Sequence, residues 1–437
     1  MSAPAQGLVV IHGHFYQPPR ENPWTGLVDA EPSAAPDHDW NARITREAYE
    51  PLIPAYPYLS FDFGPTLLDW MEREVPRVYQ AVLRSDHGNA LATPYHHIIL
   101  PLASRRDKET EVRWGIDDFK RRFRRMPTGF WLPETAVDLE TLDVLAAEGI
   151  QFTVLAPHQV SQPPAHGRPA RIPLRSGRSI AVFVYDGGLS HGVAFGGLAT
   201  DADRWTAALA HTPAGAITSI AVDGETWGHH HKGADRTLIT VLHRLRQSDA
   251  VVLTDFAKAL AASEPATTVE LVERTSWSCA HGIERWRAAC GCHIHFDRPS
   301  QQDWRAPLRA AVDWLAQEVH ALYEREGRQL PGGPWAFRDA AGASGPVHGD
   351  ERTERLVDME RGVLRAMTSC GWFFDDFAGL EGRQVLRYAA HAITLAGPDG
   401  ARLEAGFIDK LGGARSNDPA AGSAADVFRQ ALQPAAS

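Results

Sequence analysis

Short apolar runs alternate with longer amphipathic segments from residue 8 to about residue 260 of the chain. The short runs are rich in β-branched and aromatic residues and end at glycine, proline or a polar residue, which predicts buried strands. Strands that alternate with helices, with no hairpin signal between them, indicate a parallel sheet, most simply a closed barrel of about seven or eight units. Eight runs qualify as strands, one of them an expected extra: residues 8–11, 59–63, 90–93, 129–132, 152–156, 179–186, 217–222 and 250–254.

The alternation stops after residue 263, and the pattern becomes helical. Residues 302–325 repeat apolar side chains at spacings of four and three, and residues 352–367 and 384–395 are similar. Beyond Gly412 the chain is rich in alanine, proline, serine and glycine, which is typical of disorder. We therefore expect an α/β protein with a catalytic barrel over residues 1–262, a mainly helical C-terminal domain over residues 263–411 that completes the active-site cleft, and a disordered tail over residues 412–437.

Composition narrows the functional classes. The chain has 437 residues, 44% of them hydrophobic, and a net charge of −10 without a basic block, so it lacks the signature of nucleic-acid binding. Four cysteines are too few for a disulfide framework and favour a reducing compartment. Residues 1–7 carry no basic segment, and the apolar run that follows is too short for a signal or membrane segment. We expect a cytoplasmic protein without a membrane partner, while its oligomeric state stays open.

Polar residues recur where the predicted strands end. The carboxyl ends of the strands in a β/α barrel lie at one mouth, where such folds perform their chemistry. If the barrel closes, these residues converge there. They are His12 or His14, His96 or His97, Glu134, His158, Asp186 and Asp223.

Glu134 and Asp223 stand out because both follow apolar strands. Glu134 alone could be the acidic cap of the helix predicted at 137–149, and Asp-Gly-Glu at Asp223 alone is often a turn. Together they form the carboxylate pair that glycosidic cleavage requires. In this interpretation Glu134 is the nucleophile, and Asp223, in an apolar strand beside Glu225, has a raised pKa and acts as the acid. Such chemistry requires no cofactor.

Four segments resemble, in the same order, the motifs of glycoside hydrolase family 57, which contains retaining α-glucan enzymes with an incomplete (β/α)7 barrel. The resemblance covers about residues 8–260 and implies that Glu134 is the nucleophile and Asp223 the acid/base of an enzyme acting on an oligo- or polysaccharide. The long insertion of branching enzymes is not evident, which favours hydrolysis or transfer. The four segments are His12-Gly13-His14 with Gln17-Pro18, residues 96–102, residues 129–134 and residues 223–229.

The resemblance also implies which residues bind the sugar. Two features depart from the family pattern: the spacing between His14 and Gln17, and Tyr185-Asp186 in place of an arginine-aspartate pair. Residues 275–292 and 368–376 resemble a subgroup whose C-terminal domain has no known role. The expected substrate-binding residues are His12, His14, His96, His97, Trp24, Asp186, Glu225 and His229, with Trp277 and Trp286 as stacking platforms or, equally, as residues buried between domains.

Two other functions fit parts of the pattern. A metal-dependent polysaccharide deacetylase uses a related barrel, with histidines rather than Glu134 at the centre of its site. A non-catalytic glucan-binding protein would keep the scaffold without the reaction.

A second cluster of residues follows the barrel and suggests metal chemistry. Its Cys-X-Cys spacing differs from the Cys-X2-Cys of structural zinc sites. We therefore favour free thiols, loop packing or a single disulfide over a metal site, which stays open as the alternative. The cluster contains Cys279, His281, Cys290, Cys292, His293 and His295.

Overall fold

A computed structural model describes residues 6–297 and 300–432, which form two compact units. The first, here called the barrel unit, comprises Met1–Gln17, Ala30–Pro94 and Gly115–Trp277. The second, called the helical unit, comprises Pro18–Asp29, Tyr95–Trp114 and Ser278–Ser437. This division differs from the single boundary expected after residue 262, because two early segments pack within the helical unit.

Local contacts explain why those two early segments belong to the helical unit. The Gln384 side chain donates a hydrogen bond to the Glu21 carbonyl at 2.6 Å. Ile98 forms an antiparallel bridge with Thr368. Contacts across such sequence distances carry no signal in a local hydrophobic pattern.

All nine strands of the described residues lie in the barrel unit. Most of them are short and buried, as expected from their apolar and β-branched composition. They are β1 (Gly7–Phe15), β2 (Ser60–Phe63), β3 (Gly129–Phe130), β4 (Phe152–Leu155), β5 (Ala170–Pro173), β6 (Ser179–Val184), β7 (Ile217–Asp223), β8 (Val251–Thr254) and β9 (Thr267–Thr268).

The parallel strands follow the order of an incomplete seven-stranded barrel. β1 pairs in parallel with β2 and β7, and β4 pairs in parallel with β3 and β6. Between β2 and β3, Ala90 and Ala92 form single bridges to Phe61 and Phe130, so the expected strand at 90–93 is reduced to these bridges. The Asp186 N–H donates to the Ser219 carbonyl at 2.8 Å and links the end of β6 to β7. The predicted α/β barrel is confirmed.

Three strands lie outside this barrel order: β8, β5 and β9, the last of which pairs with β5. β8 pairs with the first residues of β1 and is the extra strand that the pattern predicts. β5 pairs antiparallel with β6, so the expectation of an uninterrupted β/α alternation is wrong at this point. β5 lies in a segment rich in proline and glycine, and its residues are alternately buried and exposed, which is typical of an edge hairpin rather than a barrel strand.

Helices connect the barrel strands. Residues 65–84 form two helices rather than one, because Pro76 cannot continue the hydrogen-bond ladder of the preceding turn. The fourth helix begins in the helical unit and ends in the barrel unit. These helices are α1 (Trp40–Ile44), α2 (Pro65–Glu74), α3 (Pro76–Arg84), α4 (Arg105–Phe123), α5 (Leu139–Ala147), α6 (Gly187–Ala194), α7 (Ala202–Ala210), α8 (Ala234–Arg246) and α9 (Phe256–Ala262).

The helical unit has its own apolar core, to which the long helix α10 contributes Leu308, Val312, Leu315 and Val319, all buried. No helix among the described residues combines the length and apolar character needed to cross a membrane. Its helices are α10 (Arg305–Glu326), α11 (Pro334–Ala341), α12 (Glu351–Arg365), α13 (Cys370–Phe373), α14 (Leu380–Leu395), α15 (Gly400–Leu411) and α16 (Ala424–Ala431).

Helix α16 lies inside the tail that composition predicts to be disordered. Ser423 and Asp426 form a reciprocal capping box at its start, and Val427 and Phe428 are buried. The expected disorder is wrong for this short amphipathic stretch, where capping and burial outweigh the effect of the surrounding small residues. Residues 433–437 of the expected tail lie outside the described residues.

Candidate active site

Three polar residues lie at one level across neighbouring strands of the barrel. His14 on β1 is in register with Asp62 on β2 and with Asp223 on β7. In-register residues of parallel strands point to the same side of a sheet. The level lies at the carboxyl ends of all three strands, which is the end where β/α barrels carry their active sites.

Asp62 binds two histidines of β1, His12 and His14. Its Oδ2 lies 2.8 Å from Nδ1 of His14, and its Oδ1 lies 3.1 Å from Nε2 of His12. Burial acts to lower the pKa of His14, but the Asp62 carboxylate outweighs it and raises this pKa to about 9. Burial prevails at His12, and its pKa is lowered. At neutral pH the pair is therefore a His14 imidazolium and an Asp62 carboxylate, with His12 neutral.

Asp223 ends β7 in a crowded position. Asp223 is exposed at the end of β7, although many protein groups surround its carboxylate. This burial, together with the negative charges of Glu134 and Asp62, raises the pKa of Asp223 to about 6, against the opposing effect of the His14 cation. A carboxyl group that holds its proton near neutral pH can donate it to a substrate.

Glu225 lies two residues further on and is buried. The hydroxyl of Tyr49 and the backbone N–H of Tyr16, the latter at 3.3 Å, both donate to its Oε1. Burial and the charge of Asp223 raise the pKa of Glu225 to about 7. Asp223 and Glu225 are thus two carboxyl groups with raised pKa values near the His14 cation.

Glu134 follows β3 in a tight turn and is half-buried. Glu134 and Thr135 both have left-handed backbone angles, with φ of 58° and 49°. Non-glycine residues rarely adopt this conformation, and such strain is concentrated at functional sites. Trp277 donates from its indole Nε1 to Oε2 of Glu134 at 3.1 Å, and its backbone N–H donates to the Glu134 carbonyl at 3.0 Å. These contacts fix the orientation of the carboxylate.

Trp131 joins the two histidines to this carboxylate. Its fully buried ring stacks on His12 and His14 at centroid distances of 4.5 and 5.4 Å. It also meets the ring of Trp277 edge-on at 5.2 Å. The histidines are thereby held against an aromatic wall, which limits their rotation.

Several expected binding residues of the barrel unit have other contacts. Asp186 is exposed and caps α6 by accepting from the Leu189 N–H at 2.8 Å. The ring of His229 lies 2.7 Å from Oε2 of Glu47. His158, expected only among the polar residues at the barrel mouth, contacts the Ser276 carbonyl at 2.9 Å.

His12, which the family resemblance implies as a sugar ligand, lies inside the barrel unit. Its ring is fully buried, and Ser60 and Asp62 occupy its two nitrogens. These two contacts hold the His12 ring beside Asp62. Trp286, expected as a stacking platform, is also fully buried and has no exposed ring face.

The remaining expected residues belong to the helical unit. His96 is buried, and its Nδ1 lies 2.6 Å from Oε1 of Glu111. His97, at a φ of 55°, contacts the Ser369 hydroxyl at 2.8 Å. Trp24 is half-buried and meets the His391 ring edge-on.

Asp62, Tyr49 and Trp131 belong to the site, but the sequence reasoning gave them no role. For Asp62 a signal exists, since a lone carboxylate inside an apolar strand must find a buried partner. Trp131 lies in the stretch that ends at Glu134, and its aromatic character predicts a strand but not a contact with the histidines. Tyr49 carries no local signal, because its partner Glu225 is distant in sequence.

The cysteine cluster is partly assembled in the helical unit. Among the described residues, Cys279, His281, Cys290 and Cys292 are the group whose possible metal-ligand atoms all lie within 4.8 Å of one another. His293 and His295 are not part of it. The three sulfurs are free thiols, which agrees with the free-thiol alternative and not with a single disulfide.

Comparison with known proteins accounts for most of the chain. The sequence model of glycosyl hydrolase family 57 matches residues 10–266. A second model, a domain of unknown function (DUF3536), matches residues 301–343 and 346–437. A search of curated protein sequences finds no match.

Similar solved structures cover nearly the whole chain at low sequence identity. An exo-type maltose-forming amylase from Pyrococcus sp. ST04 has a TM-score of 0.76 and 15% identity over 98% of this chain and 91% of its own. A branching enzyme from Thermococcus kodakaraensis has a TM-score of 0.63 and 14% identity over 98% and 94%. A 4-alpha-glucanotransferase from Thermococcus litoralis has a TM-score of 0.58 and 16% identity over 89% of this chain, which spans 59% of that enzyme. At such identities these likenesses show the fold.

Proposed function

The chain belongs to glycosyl hydrolase family 57, and from this premise we propose that it cleaves or transfers α-glucosidic linkages with retention of configuration. Glu134 is the nucleophile and Asp223 the general acid/base. The substrate is an α-glucan, a choice supported by the similar folds of an amylase, a glucanotransferase and a branching enzyme. The four free cysteines support a reducing, cytoplasmic location.

The reaction takes two displacements. In the first, a carboxylate oxygen of Glu134 bonds to the anomeric carbon while the glycosidic C–O bond breaks and Asp223 protonates the leaving oxygen. In the second, Asp223 takes a proton from water or from a sugar hydroxyl, whose oxygen displaces Glu134 from the anomeric carbon. Water gives hydrolysis and a sugar hydroxyl gives transfer.

The observation that carries this proposal is the raised pKa of Asp223, to which the Glu134 charge contributes. This electrostatic contribution, together with the position of Glu134 after β3 and of Asp223 at the end of β7, supports a carboxylate pair at one end of the barrel strands. When Glu134 loses its negative charge to the glycosyl bond, the pKa of Asp223 falls. Asp223 is then better suited to act as a base in the second step.

The other polar groups support the two acids. The His14 imidazolium places a positive charge near Asp223 and Glu225. Its ring is also a candidate for contact with sugar hydroxyls. Trp277 offers a half-buried aromatic surface next to Glu134, suited to the apolar face of a sugar ring. Glu225, held by Tyr49, keeps a proton near neutral pH and limits the negative charge at the site.

Separate substitutions test the two roles. Asp223→Asn should lower kcat roughly 10²–10⁴-fold on a malto-oligosaccharide, the usual size of a general acid–base contribution, and Glu134→Gln should lower it at least as much. Matched controls are Asp249→Asn and Glu264→Gln, which change the same groups at exposed positions. Full activity in both site variants would end the proposal.

Azide distinguishes the two roles from each other. In Glu134→Ala, azide replaces the nucleophile and attacks the α-glucoside directly, so the product is a β-glucosyl azide. In Asp223→Ala, azide attacks the glycosyl-enzyme and the product is an α-glucosyl azide. NMR of the products checks both outcomes, and exchanged anomers would reverse the assignment of roles.

A further inference from the structure

Three cysteines and one histidine of the helical unit converge in the segment that precedes α10. Cys279 is buried, Cys290 and Cys292 are half-buried, and His281 is exposed. Their candidate ligand atoms, three Sγ and one ring nitrogen, all lie within 4.8 Å of one another. The group lies outside both matched sequence models, one of which ends at residue 266 while the other begins at residue 301.

The separations between these atoms match a tetrahedral metal centre. Sγ of Cys279 lies 3.9 Å from Sγ of Cys290 and 3.7 Å from Sγ of Cys292. Sγ of Cys292 lies 3.5 Å from Nδ1 of His281. A zinc ion with bonds of about 2.3 Å to sulfur and about 2.0 Å to nitrogen sets two sulfurs about 3.8 Å apart, and sulfur and nitrogen about 3.5 Å apart, at tetrahedral angles. A disulfide would require about 2.05 Å.

Local backbone geometry explains how Cys-X-Cys spacing reaches this arrangement. Gly291, between Cys290 and Cys292, has a φ of +86°, a left-handed conformation that glycine adopts at little cost. Gly282, directly after His281, has a φ of 83°. Each of the two ligand pairs, Cys279 with His281 and Cys290 with Cys292, has one residue between its members. The turns at the glycines bring these pairs together without the Cys-X2-Cys spacing of common zinc motifs.

The surrounding groups hold the two later cysteines in place. The fully buried guanidinium of Arg305 donates from Nη1 to the Cys292 carbonyl at 2.9 Å and lies 3.9 Å from Sγ of Cys290. The Asp375 carboxylate accepts from the Ile294 N–H at 2.7 Å. A cation beside the sulfurs offsets the net negative charge of three thiolates on a divalent metal. Such outer contacts orient metal ligands and tune their affinity.

We propose that Cys279, His281, Cys290 and Cys292 bind one Zn²⁺ as a structural site. Four protein ligands fill a tetrahedral shell and leave no position for a reactive water. Among the described residues, the segment from 278 to 297 contains one short 3₁₀ helix, Glu284–Trp286. A metal ion would cross-link this irregular segment and so contribute to its stability.

Metal analysis of the full chain tests the proposal. Protein purified under reducing conditions, without chelators or a metal-affinity column, should contain about one zinc per chain by inductively coupled plasma mass spectrometry. After removal of zinc, Co²⁺ should restore one metal per chain with sulfur-to-cobalt charge-transfer absorption and the strong visible bands of tetrahedral cobalt. These readouts are independent of glycosidase activity.

Substitutions identify the ligands. His281→Ala should lower zinc affinity at least about 10-fold in a chelator competition, whereas His281→Cys should keep one zinc. His281 is exposed, so neither change disturbs the core. The double variant Cys290→Ser/Cys292→Ser should lose the metal. His293→Ala and Cys370→Ser are the matched controls, because both residues lie outside the four-residue group, and they should keep one zinc.

Three results would overturn the proposal. They are protein that stays metal-free after anaerobic incubation with excess Zn²⁺, a disulfide among these cysteines in freshly reduced and repurified protein, and undiminished zinc in the double variant. If zinc is present while the variants of Glu134 and Asp223 remain active, the site survives and the proposed reaction fails.

Discussion

Trp277 and Glu134 are joined by two hydrogen bonds, one from the indole Nε1 to the carboxylate Oε2 at 3.1 Å and one between their backbones at 3.0 Å. The carboxylate of a nucleophile must be aimed at the anomeric carbon, and a donor on one oxygen fixes the direction of the other. Trp277 also contacts the aromatic wall formed by Trp131. We therefore assign Trp277 a positioning role in addition to any contact with sugar.

Trp277→Phe keeps an aromatic ring at this position and removes the indole N–H that donates to Glu134. A hydrogen bond to a charged acceptor contributes about 1.5–3 kcal/mol, so we expect kcat/KM on malto-oligosaccharides to fall roughly 10–100-fold. Trp314→Phe, a half-buried tryptophan of the helical unit, is the control and should be near wild type. Unchanged kinetics in Trp277→Phe would remove the positioning role.

The pH profile should report Asp223 as the acid. Its pKa is raised to about 6, chiefly by burial, and the first displacement requires the protonated form. The rate of glycosyl-enzyme formation should therefore be high below pH 6 and decline as pH rises through that value. In Asp223→Asn, an aryl glucoside with a good leaving group should still react and should lose this decline. An unchanged basic limb in the variant would assign the acid to another group.

Local pattern was sufficient to predict most strands, because each is a short run of apolar residues that must be buried. It was insufficient where tertiary context decides. The residues Gly187–Ala194 form a helix despite their glycines, since Asp186 caps it and Ser190 and Val193 are buried. Ala90 and Ala92 form only isolated bridges and no continuous strand, although the sequence around them resembles that of the other strands.

The sequence predicts the two acids of the candidate site, but it does not predict most of the side chains that contact the other site residues. Glu134 and Asp223 follow apolar strands, which places them at one barrel mouth by topology. The partners of His14 and Glu225 come from distant segments, so Asp62 and Tyr49 were missed. The same reason explains the cysteine group, where spacing argued against metal and only the folded turn at Gly291 brings the sulfurs together.

The ion pair between His14 and Asp62 should also support the fold of the barrel unit. Both side chains are buried, so Asp62→Asn leaves the His14 cation without its carboxylate. Removing one partner of a buried pair costs about 3–5 kcal/mol, and we expect that loss in urea unfolding at pH 7. Asp203→Asn, which removes the partner of Arg244 in an exposed pair, should change stability by less than about 1 kcal/mol. Equal effects would contradict the assignment.

A buried charge network in the helical unit should make stability depend on pH. His320 lies 2.9 Å from Oε2 of Glu360 and 3.1 Å from Oδ2 of Asp107. Burial acts to lower the pKa of His320, but these carboxylates raise it from 6.5 to about 10. A pKa raised by folding stabilises the protonated state, so the contribution is complete below pH 6.5 and is lost as pH approaches 10.

His320→Gln should remove that dependence. Wild-type protein should lose unfolding free energy steadily between pH 7 and pH 10, and the variant should be less stable at pH 7 with a flatter profile. His243→Gln, an exposed histidine, should keep the wild-type slope. Parallel profiles for wild type and His320→Gln would show that the network does not bind the extra proton.

The most direct measurement of the central claim is to trap the covalent intermediate on the wild-type chain. A 5-fluoro-α-glucosyl fluoride slows the second displacement, so the glycosyl-enzyme should accumulate and be detectable by mass spectrometry after proteolysis. We predict one labelled peptide, with the sugar on Glu134, and loss of the label in Glu134→Gln. A label on Asp223, Glu225 or any other residue, or turnover of this substrate with inversion and without a covalent species, would contradict the account.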